Sequence, residues 1–138
     1  SFLLRSGEIY LNKAEAQAML DQADAINTMK ELMNKRYADH KLPVIDGLSG
    51  KELIQFIREE RWKELCFEGH RWFDLRRYGM PEIKHVYQES ETAPKMVYTL
   101  KEKDRMYTLP IPPSVMEKNR QLVQNVSDSE PLRQGVVE

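Results

Sequence analysis

In IREERWKELCFEGHRWFDLRRYG, Ile57–Gly79, charges fall on the apolar face of a helix. At about 100° per residue, Leu53, Ile54, Phe56, Ile57, Leu65 and Phe67 define one broad apolar arc, and Glu60, Arg61, Glu64 and Glu68 lie inside it. Gln55, Arg58, Glu59 and Lys63 lie outside, where charge meets water. The helix has a clear start: Ser49 and Glu52 have the spacing of a capping box, and Leu48 and Leu53 that of a hydrophobic staple. It is expected to run to about Glu68, with Gly69 in the left-handed terminating position. A short helix, Arg71 to Tyr78, then ends at Gly79, with Pro81 beyond.

A helix over about Phe2 to Leu20 repeats the pattern. Leu3, Leu4, Tyr10, Leu11, Ala14 and Ala18 form a main apolar face, and Phe2, Ile9 and Ala16 a second. Between them runs the stripe Arg5, Glu8, Asn12, Glu15. Charges hemmed in by apolar faces need partners, because an unpaired buried charge costs several kcal/mol. The pattern predicts an ion-pair network joining the first helix to those at Ser49–Glu68 and Arg71–Tyr78. Its acceptors are Glu8, Glu15, Glu60, Glu64, Glu68 and Asp74; its donors are Arg5, Arg61 and Arg71, with Arg76 or Arg77, since guanidinium binds carboxylate bidentately. The competing reading is that these charges face solvent, where pairs contribute little.

A second helix is expected to about Ala38, capped by Asp21 or Asp24. Its short connection makes it the antiparallel partner of the first. His40–Leu48, with Pro43 and Gly47, is a loop. Lys95–Leu100 and Met106–Leu109 are expected to pair as a hairpin. Prolines 110, 112 and 113 stop pairing, Ser114–Asn119 adds a helical turn, and the polar tail after Asn125 is expected to fray. The fold class is mainly α: tetratricopeptide-like helix pairs, about two of them, plus a small β-hairpin and an irregular C-terminal segment.

The 138 residues, 41% apolar and 31% charged, describe one ordinary globular segment. Against 22 acidic residues, 21 basic ones leave no global field for nucleic acid or anionic lipid. Cys66 stands alone, which excludes an internal disulfide and a cysteine metal cage; its apolar helical setting predicts a buried thiol. No signal peptide, lipid-attachment cysteine or spanning apolar run is present. The opening SFLLRSGEIY starts inside a helical pattern, so the chain is expected to be part of a longer one. A fragment of this kind would expose apolar surface and self-associate.

No catalytic constellation emerges. Glu60/Glu64 and Glu64/Glu68 have the i,i+4 spacing that sets Cβ atoms about 6 Å apart, near what a retaining glycosidase needs. Such a pair must line an open cleft, whereas these share their face with arginines. His40, His70 and His85 are scattered, and neither HExxH nor a phosphate-binding glycine loop occurs. No cofactor and no metal are expected. Trp72 and Phe73 are expected in the core, Trp62 opposite the main face of its helix, and Tyr87, Tyr98 and Tyr107 against either ligand or a neighbouring domain.

LLRSGEIYLNKAEAQA (Leu3–Ala18), IREERWKELCFEGHRWFDLRRYG (Ile57–Gly79) and YTLPIPPSVMEKNRQLVQN (Tyr107–Asn125) together resemble, in order, the C-terminal region of SusD/RagB proteins. The turn at Leu20–Asp24 is shorter than the family's, and Val126-Ser127-Asp128 replaces its Pro-Gly-aromatic close. The resemblance implies an α-superhelix with tetratricopeptide-like pairs. It also implies a non-enzymatic lipoprotein at the outer-membrane surface of a Bacteroidetes-type bacterium, anchored by a lipid on its missing N-terminal part. Such a protein binds glycans or oligosaccharides, in some members peptides, and delivers them to a SusC-like TonB-dependent transporter. The family's signature charges serve its scaffold, and no ligand-binding residue is carried over. A helical-repeat protein–protein scaffold and a hydrolase using the paired glutamates are the competing functions.

Overall fold

A computed structural model describes residues 5–38, 41–125 and 135–137. It divides into two compact units, residues 1–71 and 72–138. The mainly α class holds, with one small antiparallel sheet.

In the first unit, α1 (Ser6–Met19) and α2 (Asp24–Met33) pack as a pair joined by the turn at Leu20–Ala23, and α3 (Gly50–Glu64) packs on α1. Leu11, Ala14 and Ala18 of α1 meet Ala25, Met29, Leu32 and Met33 of α2, with Leu53 and Ile57 of α3 in the same core. The buried alanines matter because interhelical spacing is set by the side chains at the contact. Ile45 is buried too, so the loop after α2 contributes a core side chain. Each fully buried Leu or Ile here contributes roughly 1.5–3 kcal/mol.

Several local expectations change. Ala23 occupies the N-cap of α2 without a side-chain hydrogen bond. Asp21 instead takes a left-handed φ of 53° in the turn, and Asp24 is the first helical residue, where its charge meets the positive helix end. Helix α2 stops at Met33; the Tyr37 N–H reaches back to the Met33 carbonyl at 2.9 Å in a looser turn. Ser49 does cap α3 in extended backbone, but its side chain makes no cap hydrogen bond, so the capping box is absent. Helix α3 ends at Glu64, four residues early. Leu65 is buried while its backbone leaves the helical region, and Phe67 then takes a φ of 64° before Gly69 at 82°. The early stop carries Cys66 and Phe67 to the surface, so the thiol is exposed and Phe67 leaves the apolar arc. On α1, Ile9 and Ala16 of the expected second apolar face are exposed. Phe2, Leu3, Leu4 and His40 lie outside the described residues.

The short helix α4 (His70–Arg77) gives way to a turn with Gly79 at φ 95°. In the second unit, β1 (Ile83–Tyr87) pairs antiparallel with β2 (Met96–Leu100), Ile83 opposite Leu100 and Tyr87 opposite Met96. β3 (Val136–Val137) pairs on the other side of β2. The hairpin partner of β2 is therefore upstream, not Met106–Leu109. That segment forms a 3₁₀ turn, Arg105–Tyr107, because Asp104 Oδ1 accepts the Met106 N–H at 2.9 Å and the Asp104 carbonyl accepts that of Tyr107 at 3.0 Å. Groups committed to a tight turn are lost to a ladder.

Tyr107 is fully buried, stacked on Trp72 with ring centroids 5.0 Å apart, and its hydroxyl donates to the Pro81 carbonyl. Trp72 is thus a packed residue as expected, whereas Phe73 is 71% exposed. Helix α5 spans Pro113–Lys118. Beyond it, the Gln124 side chain clamps Ile111 from both sides: Oε1 accepts the Ile111 N–H at 2.7 Å, and Nε2 donates to its carbonyl at 2.9 Å. Asn125 Nδ2 donates to the Leu109 carbonyl at 3.2 Å. The Gln-Asn pair thereby satisfies the backbone of a proline-rich stretch that cannot pair as a strand. Residues 126–134 of the expected frayed tail lie outside the described residues, whereas Val136 and Val137 are in the sheet.

Candidate functional site

Within the first unit the charged side chains of α1 and α3 converge on a few carboxylates. Glu64, at the end of α3, accepts from Arg5 Nη2 at 2.6 Å and from Arg36 Nε and Nη2 at 2.9 Å each. Arg5 also pairs with Glu68. One carboxylate therefore binds the start of α1, the turn after α2 and the end of α3. Gly7 makes room for it: a β-carbon there would sit 2.6 Å from Glu64 Oε1.

Glu60, one turn earlier and buried, accepts the Tyr37 hydroxyl at 2.9–3.0 Å and pairs with Lys63. Arg61, also buried, donates to Asn12 Oδ1 at 2.7 Å and stands 3.8 Å from Glu8. His70 Nδ1 is 4.0 Å from the same Glu8. Glu15, buried on α1, receives Arg58 Nε at 2.9 Å. In the second unit the buried Asp74 pairs with Arg77 at 3.3 Å. Arg71 stacks its guanidinium over Trp62, 5.1 Å from the ring centroid.

The structure thus brings Arg5 to Glu64 and Glu68, and Arg61 to Glu8. Arg36 and Tyr37, together with Arg58 and Lys63, which the helical pattern places in water, supply the other partners. Arg58 and Lys63 leave the helix on its wet side, but their long stems bring the charged heads back to the carboxylates. Arg36 and Tyr37 follow α2 in a turn, where helical spacing gives no signal. Gly7 did carry a signal, since glycine inside a helix costs about 1 kcal/mol against alanine and calls for a packing reason.

Electrostatics follow the geometry. The hydrogen bond and charge of Glu64 push Arg36 above its ordinary value, against a small opposing effect of burial. For Lys63 the largest single influence is burial, which lowers its pKa; hydrogen bonds and charge from Glu60 and Tyr37 together outweigh it and leave the ammonium above its usual range.

A cavity of about 140 Å³ opens among Met33, Arg36, Tyr37, Glu60, Lys63 and Glu64. Its two carboxylates face cations and a phenol: Glu64 is bound by Arg5 and Arg36, and Glu60 by Lys63 and Tyr37. Among the described residues, no group of three or more His, Cys, Asp and Glu side chains gathers as a metal site. No described helix is long and apolar enough to cross a membrane.

The family model described as "SusD family" matches residues 1–127. "SusD-like protein P2" of Formosa agariphila is 28% identical over 128 residues, covering 88% of this chain and 24% of that protein. The chain therefore spans about a quarter of the length of the curated relative it matches. With a family model covering nearly all of it, the chain belongs to the SusD family.

Proposed function

We propose that the chain is the C-terminal part of a longer, non-catalytic surface protein that binds glycans or oligosaccharides. That protein passes its ligand to a SusC-like TonB-dependent outer-membrane transporter, and it is held at the outer membrane by a lipid anchor on its N-terminal part. The observation that carries this reading is the match of residues 1–127 to the SusD family. The state of the acidic cluster supports the non-catalytic part: Glu60 and Glu64 are each engaged by a cation, and the cavity they line, about 140 Å³, is small beside the roughly 300 Å³ or more of an ordinary ligand pocket. On this reading Arg5, Glu8, Glu15, Glu60, Arg61, Glu64, Glu68, Arg71 and Asp74 are scaffold residues and not ligand contacts.

Native gels of the full-length chain cast with soluble neutral and acidic polysaccharides test it. Retardation without release of reducing ends is expected. Cleavage that Glu64→Gln abolishes in a folded protein would replace the reading with a hydrolase.

A protein-binding helical scaffold is the second reading, favoured by the apolar surface that α1 leaves open at Ile9, Met19 and the following Leu20. A protein partner held with no glycan retarded would support it.

A further inference from the structure

The antiparallel register puts Ile83, His85 and Tyr87 of β1 on one sheet face with Leu100, Tyr98 and Met96 of β2, since directly opposed residues share a face. Tyr98 is opposite His85 on one side and, by the pairing of Met96 with Val137 and Val97 with Val136, opposite Gly135 on the other. A β-carbon on Gly135 would lie 2.8 Å from Tyr98 Cζ and 3.0 Å from Cε2. The phenol ring is therefore laid across the neighbouring strand, with the glycine backbone beneath it, the arrangement by which an aromatic side chain shields a cross-strand glycine. Tyr98 remains 38% exposed. Tyr87, diagonal to it and so roughly 7–8 Å away along the face, is 57% exposed.

We propose that this face is a stacking platform for an uncharged saccharide, with Tyr98 and Tyr87 under successive sugar rings and His85 beside them. The inference rests on the glycan-capture reading and adds a place on this chain where a ligand is held. Its warrant is chemical. Sugar rings offer C–H faces that pack on aromatic rings, and Tyr and His add polar edges for the hydroxyls. Charge selects the occupant: the paired positions of this face, Ile83, His85, Tyr87, Met96, Tyr98 and Leu100, include no Lys or Arg, so a polyanion meets no permanent cation among them. Lys84 projects to the opposite face and pairs with Glu82 at 3.0 Å. Gly135 is a positioning residue, needed because any side chain would lift the Tyr98 ring off the sheet.

Native gels of the full-length chain with xyloglucan and galactomannan, both neutral, decide the matter. Tyr87→Ala and Tyr98→Ala are each expected to weaken retardation about tenfold, as loss of one stacked ring implies. Tyr98→Phe keeps the ring and is expected to stay within about twofold of wild type. Gly135→Ala keeps both tyrosines yet is expected to weaken binding as Tyr98→Ala does. Unchanged retardation in both alanine variants, or retardation by acidic polysaccharides only, overturns the platform and leaves glycan capture standing. A wild-type chain that no polysaccharide retards removes the capture reading and the platform with it. Sedimentation showing a dimer that Tyr98→Ala dissociates overturns the platform in favour of a second copy of the chain.

Discussion

The Glu64 carboxylate occupies the space that a side chain on Gly7 would need, with Oε1 2.6 Å from the position of a β-carbon. Helix α1 gives up helix propensity at its first turn so that α3 can place a charge against it. The same oxygen is held by Arg5 and Arg36, so it is not free to swing aside.

Gly7→Ala is therefore expected to destabilise the chain by about 1–2 kcal/mol, the strain of overpacking exceeding the gain in propensity. In a Glu64→Ala background the same change is expected to stabilise by about 0.5–1 kcal/mol, because only propensity remains. Urea melts of the four proteins give the coupling. Additive effects would show that the two residues do not compete for space.

Glu64→Gln removes the charge shared by Arg5 and Arg36. The Glu64 side chain is 12% exposed, whereas both arginines are more than a third exposed, so solvent screens part of the attraction. A loss of about 1–2 kcal/mol is expected, seen as a lower urea midpoint with the slope unchanged. A loss well under about 1 kcal/mol would place the pair with ordinary surface salt bridges.

Lys63 supplies a pH dependence. Burial lowers its pKa, but Glu60 and Tyr37 outweigh that and raise it above 10.5 in the folded chain. A group with a raised folded pKa stabilises fully below its unfolded value, and that contribution disappears as pH climbs through the folded value. Stability from Lys63 is thus present at neutral pH and lost above about pH 10.5. Lys63→Gln is expected to lower stability at neutral pH and to flatten the alkaline decline. Parallel alkaline limbs in the two proteins would assign that decline to other groups.

Tyr107 anchors the second unit by ring stacking on Trp72 and by its hydroxyl on Pro81. Tyr107→Phe keeps the ring and is expected to cost about 1 kcal/mol for the lost hydrogen bond. Tyr107→Ala is expected to cost about 3–5 kcal/mol and to abolish the near-ultraviolet circular dichroism of Trp72. Equal effects of the two changes would place the energy in the hydroxyl.

Sequence patterning was informative where helical spacing operates. The charges inside the apolar arc of α3 identify Glu60 and Arg61 as buried, and Gly69 and Gly79 mark left-handed turns. It failed where backbone hydrogen bonds, not side-chain periodicity, decide. Asp104 draws Met106 into a tight turn that single-strand propensity does not register, and β1, with only Ile83 partly buried, shows no alternating burial to announce it. α3 ends early where Leu65 leaves the helical region, and the left-handed Phe67 that follows turns the chain so that Cys66 lies in solvent, although nothing in an apolar run distinguishes it from a continuing helix. Arg36 and Tyr37 were missed because the sequence pattern extends the second helix to about Ala38, whereas it stops at Met33 and both residues fall in the turn beyond.

The middle position of β2, between an adjacent neighbour and one supplied from far downstream, sets an order of events in the cell. β1 and β2 emerge from the ribosome together and can join at once, but one flank of β2 waits for Val136–Val137. Until those residues arrive, or after a protease trims them, β2 offers unsatisfied amides to any passing extended chain. Folding yields should therefore be sensitive to small deletions around Val136–Val137 that leave every helix untouched.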